Sequence, residues 1–291
     1  MIVTRHDSAE SFLSVATPLL MLSEAENNLI IGVAQGIARN PERAKDPYLA
    51  TVAHDSRVLA CAVYLAPSKL VVTRANRQPI VALAQDAFQA VPTIEGVTGS
   101  DRSATDFAFA WGKLSGIEPR AGMRLRIHET RGVNEAVQRT PNGRFRAAEV
   151  GDLELLTSWT DVFTREVGIP EPIDSAAVVG DAIRRQRLYV WDDQGQPVSM
   201  AAWSGKTPNG VRIIFVYTPR ELRGNGYGTA CVAELTRQQL AQGSAFCWLY
   251  TDRSSAAAPH IFKRIGYWPV SDVREYYLQR AVSVQRSDSS A

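Results

Sequence analysis

The sequence predicts an α/β protein (α+β in stricter usage) made of two tandem units, each a mixed, twisted sheet flanked by helices. Three observations predict it. The 291 residues are about twice the length expected of one domain. Runs of helical period alternate with short β-prone runs throughout. The order of these runs is the same on either side of a polar stretch at residues 131–144: helices, a three-strand meander, helix, strand, helix, strand. No residue-level repeat accompanies this shared order, so an internal duplication rests on element order alone.

In the first half, residues 1–40 read as helices. Ser23-Glu24-Ala25-Glu26 has the form of a capping box, and Leu29, Ile30, Val33 and Ile37 follow at helical spacing. Tyr48–Ala53 and Val58–Leu65 read as strands joined by a hairpin through His54-Asp55-Ser56-Arg57, and Leu70–Thr73 as a third. A helix follows over about Ile80–Ala90, then a strand at Ile94–Val97. Ser100 and Asp101 cap a helix that Gly116 stops, and Met123–His128 is the next strand. The stretch at 131–144 carries Gly132, Pro141, Asn142 and Gly143 and is the best linker in the chain.

In the second half, Arg144–Val150 reads as a strand. Asp152 is expected to cap a helix whose apolar face is Leu153, Leu156, Trp159, Phe163 and Val167, ended by Gly168 and Pro170. A second helix runs from near Asp174 to Arg187. Leu188–Asp192 and Val198–Trp203 form a hairpin across Gln194-Gly195, and Val211–Thr218 is strongly β-prone. A helix then reaches Gln242, with Gly243 as its stop. Strand Ala245–Thr251, a helix over about Ala257–Arg264, and strands at Tyr267–Val270 and Glu275–Leu278 complete the unit. The expected organisation is therefore an N-terminal unit over 1–135, a C-terminal unit over 143–280, and a disordered tail over 281–291.

Composition narrows the function. Basic and acidic residues number 32 and 30, a formal charge of +2, which gives no reason to expect a nucleic-acid or anionic-membrane partner. Cys61, Cys231 and Cys247 are sparse, odd in number and without a Cys-x-x-Cys pair. That pattern argues against a disulfide scaffold or zinc cluster and suits a reducing cytoplasm. The four histidines, His6, His54, His128 and His260, show no metal-ligand spacing, so no metal is expected. The N-terminus lacks a basic stretch followed by an apolar run, so no signal peptide is expected. No apolar run could span a bilayer.

The informative segment is Ile213–Thr229, IIFVYTPRELRGNGYGT. A buried strand enters a turn containing Gly224, Gly226 and Gly228, and a helix starts there. A helix start offers outward-pointing N–H groups at its positive end, and glycines let phosphate oxygens approach the backbone. Arg220 and Arg223 add charge. No Gly-Lys-Ser/Thr triplet is present, and Thr229 stands where the dinucleotide pattern needs its third glycine.

The spacing Arg223-x-x-Gly226-x-Gly228 resembles the coenzyme A loop, R/Q-x-x-G-x-G/A, of the GNAT superfamily of N-acetyltransferases. Val216-Tyr217-Thr218-Pro219 resembles that family's strand end before the loop, and Ala258–Tyr267, APHIFKRIGY, its helix after strand five. The resemblance covers about residues 143–280. It implies two tandem GNAT-like domains, the C-terminal one binding acetyl-CoA as co-substrate and the N-terminal one degenerate, since its equivalent loop reads RANRQPIVALA without glycine. The N-terminal unit's expected roles are packing and closure of the acceptor pocket.

The resemblance also implies roles for particular residues. Strands four and five splay, and Val216, Tyr217 and Thr218 line the pantetheine, one amide there polarising the thioester carbonyl. Backbone N–H groups from Arg223 through Gly224, Asn225, Gly226, Tyr227 and Gly228 to Thr229 hold the pyrophosphate. Glu166 or Glu171 is the candidate base for the attacking amine. Phe262 stands where relatives carry a tyrosine that protonates the leaving thiolate, so Tyr250, Tyr217 or water is the candidate acid. Ser255 replaces the family's asparagine. Trp159, Trp203 and Trp248 are candidates for an apolar acceptor pocket. The implied reaction is direct acetyl transfer to an amine in a ternary complex, a small-molecule acceptor being preferred over a protein. The alternatives are a non-catalytic acyl-CoA-binding sensor, to which Phe262 points, and a nucleotide-binding domain using the same loop. Acceptor and oligomeric state stay open.

Overall fold

The computed structural model describes residues 1–134, 137, 141–168, 173–254 and 258–279, with backbone alone at 258 and 259. The tail expected to be disordered, 281–291, lies outside these residues, as does part of the linker. The chain divides into two compact units. Unit 1 comprises Met1–Leu22, Leu29–Met123 and the chain from Val273 onward; unit 2 comprises Ser23–Asn28 and Arg124–Asp272. Each unit takes residues from both sides of the polar stretch. Composition marks a linker, but it does not reveal which sheet edge a strand joins.

Unit 1 holds β1 (Ile2–Arg5), α1 (Ala9–Leu20), most of α2 (Asn28–Arg39), β2 (Tyr48–His54), β3 (Arg57–Tyr64), β4 (Leu70–Val72), α3 (Arg77–Ala90), β5 (Gly96–Ser100) and α4 (Asp101–Ser115). Its strands run in the order β1-β2-β3-β4-β5, and β5 then pairs with Val273–Tyr277 of β12 (Trp268–Tyr277). Only the β4–β5 pair is parallel. The β2–β3 turn has Asp55 and Ser56 at φ 48° and 64°, the left-handed pair that suits a two-residue hairpin. Helix α4 ends on Gly116 at φ 70°, where a side chain would be strained.

Unit 2 holds most of β6 (Arg120–Thr130), β7 (Arg144–Ala147), α5 (Leu153–Val167), α6 (Ser175–Arg184), β8 (Leu188–Asp193), β9 (Gln196–Ser204), β10 (Gly210–Tyr217), α7 (Tyr227–Ala241), β11 (Phe246–Asp252) and α8 (Ala258–Ile265). Its strand order is β7-β8-β9-β10-β11-β6, with only β10–β11 parallel. The two sheets thus repeat one order and one set of strand senses. The duplication suggested by element order is present in topology, without residue similarity to reveal it.

Each face of the unit 2 sheet has its own core. Val211, Ile213, Cys231, Leu235, Leu249, Phe262 and Tyr267 pack on the α7 and α8 face. Leu156, Trp159, Val190, Met200 and Tyr217 pack on the α5 and α6 face. Burying each such side chain is worth about 1.5–3 kcal/mol. Along β10, alternation interrupted by a bulge between Ile214 and Tyr217 sends Ile213 and Val216 to one face and Ile214, Phe215 and Tyr217 to the other.

Several elements depart from the sequence expectation. Strand β1 falls inside a stretch read as helix; it is a short edge strand whose residues stay largely exposed, so no apolar alternation announces it. The two strands expected at 267–270 and 275–278 are one strand, β12. The capping box at Ser23 does not form, because α2 starts only at Asn28 and Glu26 instead accepts a 2.6 Å bond from the Ser271 hydroxyl. Asp152 does not cap α5. Its carboxylate accepts from the Glu149 N–H at 2.8 Å and from Arg146 at 2.7 and 3.0 Å, a charged partner outcompeting neutral helix amides.

Candidate active site

The site begins where two parallel strands part. Strands β10 and β11 pair at Gly210–Phe246, Val211–Cys247 and Arg212–Trp248, and their pairing stops there. Beyond that rung β10 stays hydrogen-bonded to β9 as far as Tyr217–Met200, with a bulge between Ile214 and Tyr217. Phe215 in the bulge has φ 50°. On the other side β11 stays paired to β6 through Asp252–Leu125. Each strand follows its outer neighbour, so a wedge opens between residues 213–217 and 249–252.

The glycine loop follows β10 directly. Ser199 donates a 3.0 Å hydrogen bond to the Tyr217 carbonyl and lies 2.9 Å from the Thr218 hydroxyl. The Arg223 Nε donates to the Thr218 carbonyl at 2.9 Å, closing the turn. Gly224 and Gly226 have φ of 89° and 84°, and a Cβ on either would meet open space. Glycine is required there for backbone conformation, not for room. At Gly228 the reason is room: a Cβ would stand 2.9 Å from the Thr218 Oγ1.

Helix α7 opens on Gly226, and its first intrahelical bond runs from Ala230 to Gly226. The N–H groups of Tyr227, Gly228 and Thr229 are therefore without helical acceptors. They face the positive end of the helix dipole. Tyr227 is anchored by its hydroxyl, which donates to Asp193 at 2.8 Å; that bond, followed by burial, raises its pKa. Asn225 reaches back to the Leu222 carbonyl at 3.1 Å. An array of free amides, two left-handed glycines and a face open to solvent fits a pyrophosphate.

Glu166, at the end of α5, accepts from Arg220 at 2.8 Å and from Arg223 at 2.7 Å. Those hydrogen bonds, Arg220's first, hold its carboxyl below the usual carboxylate range. A carboxylate so engaged is a weak proton acceptor. Two cations sharing one anion also leave positive charge beside the loop. The other candidate base, Glu171, and the candidate contact Ser255 lie outside the described residues.

Both candidate acids sit in the wedge region. Tyr217 is buried, tilted 53° against Trp159 at 5.9 Å, and burial followed by the Glu166 charge raises its pKa. The Tyr250 hydroxyl accepts from Asn28 Nδ2 at 2.7 Å. Phe262 is buried on the α7–α8 face, edge-on to Tyr267 at 6.0 Å. Val216 packs on that same face.

The three tryptophans do not converge. Trp159 lies with the α5 and α6 core, Trp203 packs with the α7 and α8 core, and Trp248 is buried opposite Arg212. Cys61, Cys231 and Cys247 are buried; burial pushes the Cys61 and Cys247 thiols up to about 12, which makes them unreactive.

Residues that sequence reading overlooked also contribute. Ser199 is fully buried and fixes the strand end. Asn28 arrives from a segment far away in sequence. Arg212 carried the one available signal, a lone charge in the apolar run Gly210–Tyr217.

The family profile described as acetyltransferase (GNAT) family matches residues 154–267. Residues 154–267 are thus similar to that family, and the fold along nearly the whole chain is that of solved GNAT proteins. A GNAT-family acetyltransferase from Colwellia psychrerythraea superposes with a TM-score of 0.57 at 10% identity, over 96% of this chain and 100% of that one. A GCN5-related N-acetyltransferase from Sphaerobacter thermophilus gives 0.61 at 16%, over 97% and 96%. A tandem GNAT protein from the clavulanic acid biosynthesis pathway gives 0.54 at 12%, over 97% and 99%. No curated protein matches significantly by sequence. Among the described residues, no helix is long and apolar enough to cross a membrane.

Proposed function

We propose that the protein is an N-acetyltransferase that moves an acetyl group from acetyl-CoA to an amine of a small-molecule acceptor, by direct transfer in a ternary complex. The observation that carries this reading is the parting of β10 from β11 above the Arg212–Trp248 rung, followed at once by the Gly226 start of α7. When bound, acetyl-CoA supplies an activated acyl group. The chain supplies the rest. Backbone groups of Val216, Tyr217 and Thr218 lie along the wedge and orient the pantetheine arm, an amide there favouring charge on the carbonyl oxygen. Amides from Arg223 to Thr229 hold the pyrophosphate.

Glu166 is read as a positioning residue that spreads Arg220 and Arg223 along the loop. Tyr250 is read as the proton donor in place of a hydroxyl at Phe262, because its ring stands on β11 at the wedge and Asn28 fixes the position of its oxygen. Tyr217 is the weaker candidate, its ring being packed on Trp159. Unit 1 is read as a degenerate GNAT-like domain. Its loop after β4 carries no glycine, and the Ser103 hydroxyl occupies it, accepting from the Ala75 N–H at 3.0 Å.

The test is isothermal titration with acetyl-CoA on the parent and on Gly226→Pro, followed by turnover across an amine panel. Micromolar binding in the parent, none in the variant, and turnover of at least one amine would support the reading. Phe262 favours a second reading, a non-catalytic acyl-CoA sensor. Binding with no turnover of any amine would select it, and absence of binding would overturn both.

A further inference from the structure

Among the described residues, the Arg212 side chain at the foot of the wedge has no ion-pair or hydrogen-bond partner. It occupies the last rung that joins β10 to β11, opposite Trp248. It points to the face that Ile214 and Tyr217 share, because its β9 partner Ser204 continues the register of Ala202 and Met200. Its Nε is shielded from solvent and has no hydrogen-bond partner. Among the described residues its side chain makes no ion pair and no hydrogen bond, and its one contact of note is the Tyr250 ring, 4.6 Å from the guanidinium carbon.

Three acidic side chains of unit 2 are engaged with other groups. Glu24 accepts from the backbone N–H and Nδ2 of Asn209 at 2.7 and 2.8 Å. Glu129 is bridged to Arg131 at 3.0 Å. Glu26 accepts from Ser271. The Nε–H is shielded while the residue as a whole keeps part of its surface exposed; a shielded donor is costly unless something accepts from it, and the ring of Tyr250 satisfies none of the in-plane donors. Burial accordingly pulls the Arg212 pKa below its ordinary value.

We propose that Arg212 is the receptor for a substrate carboxylate that enters the wedge between β10 and β11. The proposal rests on the acyltransferase reading for the kind of molecule that enters. Guanidinium and carboxylate match as two parallel hydrogen bonds, and the Tyr250 ring holds the plane of the guanidinium from one side. Arg212 lies two residues, about 7 Å along a strand, before Ile214, where the bulge begins. The carboxylate is thus several bonds away from the reacting centre. It can come from either of two sources. An acceptor of the ω-amino acid kind would bring it together with the amine, and a dicarboxylic acyl chain on the coenzyme would bring it at the far end of the acyl group.

The experiment compares the parent with Arg212→Met and Arg212→Lys in three measurements. Thermal unfolding separates a binding role from a structural one. Relief of the shielded, unpartnered Nε donor should leave the melting temperature of Arg212→Met unchanged or higher, whereas a marked drop would mean the residue is structural and overturn the proposal. Calorimetric binding is then measured for α- and ω-amino acids against their amides, and for succinyl-CoA and malonyl-CoA against acetyl-CoA. In the parent, one carboxylate series should bind about ten- to a hundredfold tighter than its neutral counterpart. Arg212→Met should abolish that preference, Arg212→Lys should restore part of it, and acetyl-CoA should bind all three proteins alike. The series that discriminates names the source. A parent that binds acetyl-CoA but shows no preference in either series, or a preference that persists in Arg212→Met, would overturn the proposal while leaving the acyltransferase reading intact. Loss of acetyl-CoA binding by the parent would instead fail that reading.

Discussion

Thr218 and Gly228 approach so closely that a Cβ on Gly228 would stand 2.9 Å from the Thr218 hydroxyl. That hydroxyl is not free to swing away, since the Ser199 Oγ lies 2.9 Å from it and also holds the Tyr217 carbonyl. The end of the wedge and the start of α7 are thus joined through one small contact. Gly228→Ala should push β10 and α7 apart, costing about 1–3 kcal/mol of stability and weakening acetyl-CoA binding about tenfold. In a Thr218→Ala background the same substitution should be nearly neutral. A double-mutant cycle read by calorimetry and urea unfolding measures the coupling, and additivity would show that the two residues act separately.

The Glu166 cluster should make the loop sensitive to acid. The Glu166 pKa is lowered by Arg220 and Arg223, so its interaction is fully present above the ordinary carboxylate value and fades as pH falls through the lower, folded-state value. Acetyl-CoA affinity should therefore hold from neutral pH down to about pH 5 and decline only in stronger acid. Both arginines are well exposed, at 77% and 46%, so the effect is modest. Glu166→Gln should weaken acetyl-CoA binding about two- to fivefold, with kcat little changed. If Glu166 were instead the base, kcat would fall by about a hundredfold or more, which initial-rate kinetics distinguishes.

The glycine loop that both tests probe was legible in sequence, though the contacts that brace it were not. Glycines at 224 and 226 could be read because each relieves a backbone constraint, and backbone constraints are local. The hairpin glycine at 195 and the helix stop at Gly168 were legible for the same reason, their φ being 83° and 71°. What was not legible depends on residues distant in sequence. Asn28 reaches Tyr250 across 222 positions, and no periodicity in residues 23–28 announces that this segment joins unit 2. The exchange of sheet edges is hidden in the same way, since Val273–Tyr277 carries no mark that it pairs with β5. The engagement of Glu166 is also a tertiary fact; in sequence it is one carboxylate near a helix end.

Tyr250 should govern turnover more than binding. Its hydroxyl is held by Asn28 at 2.7 Å, and Phe262 offers no hydroxyl from the other face. Tyr250→Phe should lower kcat about a hundredfold while leaving the calorimetric affinity for acetyl-CoA unchanged. Asn28→Ala should show a smaller loss of kcat, because the oxygen stays and only its orientation is freed. Adding Phe262→Tyr to Tyr250→Phe should recover part of the rate if proton supply to the leaving group limits it. An unaltered kcat in Tyr250→Phe would assign the proton to water.

Arg146 sets the acid stability of unit 2. It donates from Nε to Asp192 at 2.7 Å and from both terminal nitrogens to Asp152 at 2.7 and 3.0 Å, so one guanidinium ties β7, β8 and the entry to α5. Its side chain is 18% exposed and those of Asp152 and Asp192 are 11% and 5% exposed, which makes this a shielded triad. Burial opposes ionisation of Asp152, but the Arg146 hydrogen bonds and the Glu149 amide prevail, and its pKa is lowered. Asp192 is lowered chiefly by its bond to Arg146. Both carboxylates thus add stability above the ordinary aspartate value and lose it as pH drops through their lowered values. Arg146→Met should leave two shielded carboxylates facing each other without a cation, and destabilise the protein by about 3–5 kcal/mol at pH 7. In that variant the aspartates no longer have depressed values, so the acid limb of its stability profile should flatten or reverse, protonation now relieving repulsion. Urea unfolding of parent and variant between pH 3 and pH 7 tests the sign directly: a variant whose stability falls with acid as steeply as the parent's would show that this triad does not set the limb.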